Sequence, residues 1–235
     1  MRMTRIVPTL LALGFALSGC NAMGVPDDSY HPQINPADFQ SSVDNPYFPL
    51  PHGMKTKFVE KKGSEQSINQ VEVLPGVKKI MGVNCVIVHD TITEDGALKE
   101  DTYDWYAQDK RGNVWYFGEE TKEFKPSGES SSAGSWEAGV GGAQPGIIMP
   151  AELTTGAEPY RQEYLAGHAE DMGQIAALNE SVSVPLGSFK GCVKTREWSM
   201  LESGDEKKWY CRGVGFVKEV ASAGEVVTLE SMTKP

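Results

Sequence analysis

The chain has 235 residues, with 22 basic against 32 acidic side chains and a formal net charge of −10. That balance excludes a broad basic surface of the kind that grips nucleic acid or anionic lipid. The length is enough for one large or two small domains with a sizeable core.

Residues 1–19 read as a secretory signal: Arg2 and Arg5, an apolar run from Ile6 to Leu17, then Ser18 and Gly19 before Cys20. The apolar run is too short for a permanent membrane helix, and no second run approaches spanning length. The tetrapeptide Leu17-Ser18-Gly19-Cys20 resembles the processing site of bacterial lipoproteins. That resemblance implies cleavage before Cys20 and acylation of the new N-terminus. With Asn21 next, it also implies the outer membrane of a Gram-negative cell as destination. The membrane partner is then reached through acyl chains, and the mature chain carries 20 basic against 32 acidic residues. Residues 20–55 follow as a lipidated N-terminus and proline-rich tether, broken by Pro26, Pro32, Pro36, Pro46, Pro49 and Pro51, which leave no room for a long helix or a central strand.

Residues 56–235 read as a single β-rich domain. Short β-rich segments alternate with turn signals at Pro75-Gly76, Asp95-Gly96, Gly112-Asn113, Ser203-Gly204 and Ala223-Gly224. This spacing predicts a mainly β fold, an antiparallel meander closing into a curved sheet, half-barrel or barrel. Two stretches interrupt it. Residues 125–159 form a Gly/Ser/Pro-rich insertion, expected to be a functional or mobile loop. Residues 168–178 place Met172, Ile175, Ala176 and Leu178 near one helical face behind Glu170 and Asp171, which predicts one short helix serving as a lid.

The 84–118 meander allows a register. A two-residue turn at Asp95-Gly96 pairs Thr93 with Leu98, His89 with Thr102 and Val88 with Tyr103. A turn through Lys110-Arg111-Gly112 then pairs Trp105 with Phe117, Tyr106 with Tyr116 and Ala107 with Trp115. One face collects Val86, Val88, Tyr103, Trp105, Trp115 and Phe117, as a core or a cavity wall. The other carries His89 with Glu100 and Asp104 as diagonal neighbours, a set able to hold a divalent cation or to tune a general base; a solvated sheet face accounts for the same residues. The same register opposes Asp90 and Asp101, a destabilising like-charge pair that calls for Lys99, water, a cation or a different pairing.

Apart from Cys20, the mature chain holds Cys85, Cys192 and Cys211. Export favours one disulfide, and Cys192 with Cys211 is the preferred pair, although a turn centred on Ser203-Gly204 puts Arg196 nearest Cys211. His168 and Asp171 lie three apart, a spacing that suits metal ligation or a plain helix start. No nucleophile elbow and no phosphate-cradling glycine loop is present.

Three strings resemble a group of uncharacterised bacterial exported lipoproteins: Asn45-Pro46-Tyr47-Phe48-Pro49-Leu50, the run from Glu100 to Asp109, and Gly213-Val214-Gly215-Phe216-Val217-Lys218-Glu219. The group implies no established activity. Its layout is also similar in architecture to periplasmic lipoprotein carriers of the LolA/LolB type, a likeness that bears on fold and not on function. The leading expectation is a non-enzymatic, membrane-anchored module binding a lipid or amphipathic small molecule. Its cavity is walled by Tyr103, Trp105, Trp115 and Phe117 and closed by Met172 and Ile175. No cofactor and no nucleic acid is expected. The alternatives are a metal-dependent hydrolase or cation-binding protein built on His89, Glu100 and Asp104, and an envelope assembly lipoprotein whose 125–159 loop docks onto a partner protein.

Overall fold

Alternating inward and outward residues, punctuated by tight turns, drive most of the described residues into antiparallel strands. The computed structural model describes residues 29–235; the signal sequence, Cys20 and the start of the tether lie outside the described residues. After a 3-10 turn at Pro36–Asp38, β1 (Phe39–Gln40) pairs with the end of a later strand. The first meander comprises β2 (Lys55–Lys62), β3 (Glu65–Ile80), β4 (Val83–Glu94), β5 (Ala97–Asp109) and β6 (Val114–Phe124). An excursion supplies β7 (Ser130–Ser131), β8 (Trp136–Glu137) and β9 (Gln144–Met149), and a connecting stretch gives β10 (Tyr160–Arg161) and β11 (Glu163–Tyr164). The second meander comprises β12 (Asp171–Val184), β13 (Gly187–Ser199), β14 (Glu206–Cys211), β15 (Gly215–Ala221) and β16 (Val226–Thr233).

Thirteen of these strands form one circuit, β10-β12-β13-β14-β15-β16-β2-β3-β4-β5-β6-β9-β11. Its two ends, β10 and β11, flank a single residue, Gln162. Tyr160 and Arg161 pair with Gly173 and Met172 of β12, while Glu163 and Tyr164 pair with Pro145 and Gln144 of β9. The amide of Gln162 donates to the carbonyl of Asp171 at 2.8 Å. A five-residue stretch therefore closes the meander into a nearly complete barrel, and closure removes the exposed edges that an open sheet leaves.

The expected helix at 168–178 is absent: Met172 and Ile175 both lie on β12. Buried Asp171, Gly173 and Ile175 alternate with half-buried Met172 and Gln174, a period of two. Two of the three inward positions hold an acid and a glycine, so the apolar residues alone mimic a helical spacing. The lead-in also differs from a free tether over its second half. Val43, Phe48, Leu50 and Met54 are buried in the core, and the carbonyl of Gln108's side chain accepts from the amides of Asp44 at 2.8 Å and Asn45 at 2.7 Å. Likewise, the glycine-rich stretch is part of the barrel wall. It contributes buried Trp136, Ala138, Ala143, Ile148 and Met149, and its glycines permit backbone approach that a side chain forbids.

The Asp95-Gly96 turn forms with positive φ at both residues, 51° and 77°, and Thr93 faces Leu98. A bulge at Lys99 then shifts the pairing by one, so His89 faces Tyr103, Val88 faces Asp104 and Thr91 faces Asp101. The Asp90–Asp101 opposition disappears, because Asp90 now faces Thr102. A second bulge between β5 and β6 restores Tyr106 opposite Tyr116 and Ala107 opposite Trp115.

Candidate functional site

From Glu100 onward, the one-residue shift sends the side chains of β5 to the opposite face from the one the simple hairpin predicts. Tyr103 points outward and stacks on His89, ring centroids 4.4 Å apart, and His89 Nε2 lies 2.6 Å from Asp101. Trp105 is outward too, with the Lys78 ammonium 3.3 Å above its ring. Trp115 donates its indole N–H to Asp109 at 3.0 Å, and both Trp115 and Phe117 pack edge-on against Phe39 of the lead-in. The expected aromatic wall is thus an outer layer covered by other parts of the chain, with Met172 and Ile175 on a strand elsewhere in the circuit. His89 is separated by the sheet from Glu100 and Asp104, both of which are buried and share the inward face with Val88 and Tyr106. Among the described residues no group of three or more His, Cys, Asp and Glu side chains has a metal-holding arrangement. His168 sits within a short turn closed by bonds between Leu165 and Ala169, apart from the strand that carries Asp171.

The inward face has two zones. At the end where the lead-in enters, aromatic rings meet across the barrel: Phe48 lies 5.3 Å from Tyr106 and 6.1 Å from Tyr210, Tyr210 5.7 Å from Phe216, and Phe216 5.2 Å from Phe58. Phe48 plugs this mouth. Beside it lies an apolar cavity of about 60 Å³, lined by Phe48, Leu50, Met54, Phe58, Val88, Tyr106 and Phe216 among others. The three strings that carry the family resemblance converge here. Gln108 holds the backbone at Asn45, the Asn45 side-chain amide donates to the Gly112 carbonyl at 2.9 Å, and the Gly213 backbone amide donates to the Pro46 carbonyl at 2.6 Å. Sequence reasoning named none of Phe48, Phe58, Tyr210 and Phe216 as site residues; their one common signal was that aromatics stood at inward strand positions or in the first of these strings.

Deeper in, the lining is polar. Ten carboxylates are buried among the described residues, with Lys208 as the one buried lysine. On the β3–β6 wall, Asn69 donates to Asp90, Thr102 to Glu100 at 2.9 Å, and Tyr116 to Asp104 at 2.7 Å. On the opposite wall, Lys208 Nζ lies 3.1 Å from Glu197, 3.3 Å from Glu206 and 3.6 Å from Glu219. Burial alone lowers a lysine pKa, but these three carboxylates outweigh it and hold Lys208 well above its ordinary value. Glu219 is pushed well above the carboxylate range by burial and by Glu206. Asp171 is pushed up to about 8, first by burial and then by Glu206, against the opposing pull of Lys208 and a hydrogen bond from Ser199.

A carboxyl whose pKa is raised by folding stabilises the fold while it is protonated in both states. That contribution is lost as pH rises through the folded value. Stability contributed through Asp171 is therefore complete below about pH 4 and gone above about pH 8. Thermal unfolding followed across pH 5–9 should show the wild type losing midpoint with rising pH relative to Asp171→Asn. Parallel curves for the two proteins would contradict this.

Cys192 and Cys211 form a disulfide with Cα atoms 4.2 Å apart, and Cys85 is a buried thiol whose pKa burial pushes up to about 12. The β13–β14 pairing places Arg196 opposite Lys207 and Val193 opposite Tyr210, two residues away from a turn centred on Ser203-Gly204, which brings the two cysteines level.

Fold and site together define a class: a nearly closed antiparallel barrel with an aromatic mouth plugged by its own N-terminal lead-in. No protein-family model matches the chain, and no curated protein sequence matches it. Among solved structures it is similar to a Bacteroides fragilis protein described as exported and as having a YmcC-like fold. The TM-score is 0.50 at 13% identity, covering 80% of this chain and 99% of that one. The two proteins share the fold.

Proposed function

We propose that this chain is an exported, lipid-anchored binding module of the bacterial envelope, without catalytic activity of its own, whose apolar or amphipathic ligand enters the mouth beside Phe48. The observation that carries the reading is the apolar cavity of about 60 Å³ at that mouth, the aromatic end of an otherwise polar interior. Its size limits what enters: roughly 150 Å³ admits benzene, so a few carbons of a ligand fit while Phe48 stays in place. A longer chain requires the 43–50 segment to move. Export is supported by the charged, apolar and small-residue order of residues 2–19, by the Cys192–Cys211 disulfide, which belongs to an oxidising compartment, and by the described export of the Bacteroides fragilis protein. Anchoring rests on the lipoprotein-like Leu17-Ser18-Gly19-Cys20, and outer-membrane placement on Asn21.

Native mass spectrometry of protein purified without detergent, with extracted lipids analysed from the same preparation, tests the binding. Wild type should retain an apolar adduct. A wild type free of adduct that also takes up no added fatty acid overturns the reading.

A further inference from the structure

A second cavity lies between the lead-in and the turn that joins β5 to β6. It holds about 270 Å³, several times the volume beside Phe48. Backbone pairing locks its two sides together. Phe39 pairs with Asp109 and Gln40 with Gln108, and the Lys110 amide donates to the Asp38 carbonyl at 2.8 Å. The Asp109 carboxylate is fixed in turn. It accepts from the backbone amides of Arg111 at 2.9 Å and Asn113 at 3.0 Å, from the Asn113 side chain at 2.8 Å and from the Trp115 indole at 3.0 Å. On the facing side, the Asn35 side chain accepts from the Ala37 amide at 3.2 Å and donates to Asp38 at 3.1 Å. A cleft held this way needs little ordering to take a ligand, which cuts the cost of binding.

The lining is chemically mixed. Asp38 and Asp109 supply carboxylates, Lys110 and Arg111 cations, Gln33 and Asn35 amides, and the half-buried Phe39 and Trp115 an apolar part. Lys110 and Arg111 are exposed, and neither forms an ion pair with a described residue. Two cations against two carboxylates leave no net charge to select a bare anion or a bare cation. Donors set beside acceptors match hydroxyl groups instead, because each hydroxyl both donates and accepts. The Trp115 N–H is committed to Asp109, so what its ring offers a ligand is apolar surface. A pyranose presents that combination: a ring with a C–H face and a fringe of hydroxyls. Roughly 150 Å³ admits benzene, so the larger volume here admits one hydroxylated six-membered ring.

We infer that this cleft binds a sugar ring, with Trp115 and Phe39 against its C–H face and Gln33, Asp38, Lys110 and Arg111 on its hydroxyls. It shares no lining residue with the mouth and does not depend on what enters beside Phe48.

The full chain, produced with isotope-labelled tryptophan and held in a detergent without a sugar headgroup, tests the site by nuclear magnetic resonance. The Trp115 indole signal is assigned by its loss in Trp115→Phe. Methyl glucoside, methyl galactoside, methyl N-acetylglucosaminide and methyl glucuronide are the probes. At least one should move the Trp115 signal saturably in the millimolar range and leave that of Trp209, on β14, in place. Lys110→Ala and Arg111→Ala remove exposed side chains and spare the Asp109 network; each should weaken that binding about tenfold, roughly the worth of a hydrogen bond to a charged group. A Trp115 signal that no glycoside moves overturns the inference, and one moved by inorganic phosphate or putrescine alone replaces the sugar site with an ion site. Unchanged affinity in both variants overturns it as well.

Discussion

Replacing Lys208 by methionine is expected to destabilise the barrel by about 3–5 kcal/mol, the cost of leaving buried carboxylates without their cation. Lys208 is fully buried and reaches Glu197, Glu206 and Glu219 within 3.6 Å. Methionine keeps most of the volume, so the loss reports charge and not packing. Two controls separate these effects in urea unfolding. The double variant Lys208→Met/Glu197→Gln should recover part of the loss, because a neutral amide still accepts from Thr195, whose hydroxyl lies 2.7 Å from Glu197, and no longer needs a counter-charge. The single variant should also lose less at acid pH, where the carboxylates take up protons. A loss below about 1 kcal/mol, independent of pH, would place the cluster in water and contradict its burial.

Gly146→Ala is expected to fail by a different route. An added Cβ would stand 2.3 Å from the Gln162 carbonyl carbon, 2.4 Å from its oxygen and 2.6 Å from the Arg161 oxygen. All three are backbone atoms of the stretch that closes the barrel, so no side chain can swing aside. The cost should lie at or above the top of the range of about 1–3 kcal/mol for overpacking. Gly63→Ala is the comparison. It meets nothing within 4 Å and strains only a positive φ of 60°, worth roughly 1–2 kcal/mol. Denaturant midpoints for the pair check this; equal losses would mean that the closure is looser than the contact at Gly146 requires. Hydrogen exchange should localise the damage in Gly146→Ala to β9 through β12.

The strands and their turns were legible because alternation and turn chemistry are local. Asp95-Gly96 makes the turn its residues demand, and Tyr106 does face Tyr116. What one strand cannot reveal is a bulge in its partner. Lys99 is accommodated by the β4–β5 bulge, and the sole trace in the sequence was the unfavourable opposition of Asp90 and Asp101 that the unbulged register creates. The interior then defeats hydropathy in the other direction. Asp90, Glu100, Asp104 and Glu197 are buried through hydrogen bonds and ion pairs made within a strand or to the neighbouring strand, so inward positions look solvated in the sequence. Asp171 and Gly173 do the same on β12 and left Met172 and Ile175 to suggest a helix.

The mouth was illegible for a topological reason. Phe48, Phe58, Tyr106, Tyr210 and Phe216 come from the lead-in and four strands, and they meet only once the sheet has curled enough to bring β5 and β14 around the lead-in. Sheet curvature of that kind carries no local sequence signal. The prolines of the lead-in were equally misleading, since Pro46 and Pro49 shape a plug that Gln108, Gly112 and Gly213 hold in place.

The most direct test of the mouth as the binding site is the titration of an apolar, environment-sensitive dye into wild type and Val88→Phe. Val88 is 1% exposed and lines the cavity beside Tyr106, so the larger ring fills the space. Saturable binding by the wild type, lost in Val88→Phe at unchanged circular dichroism, is the predicted result. Equal binding by both proteins, or none by the wild type, would contradict it.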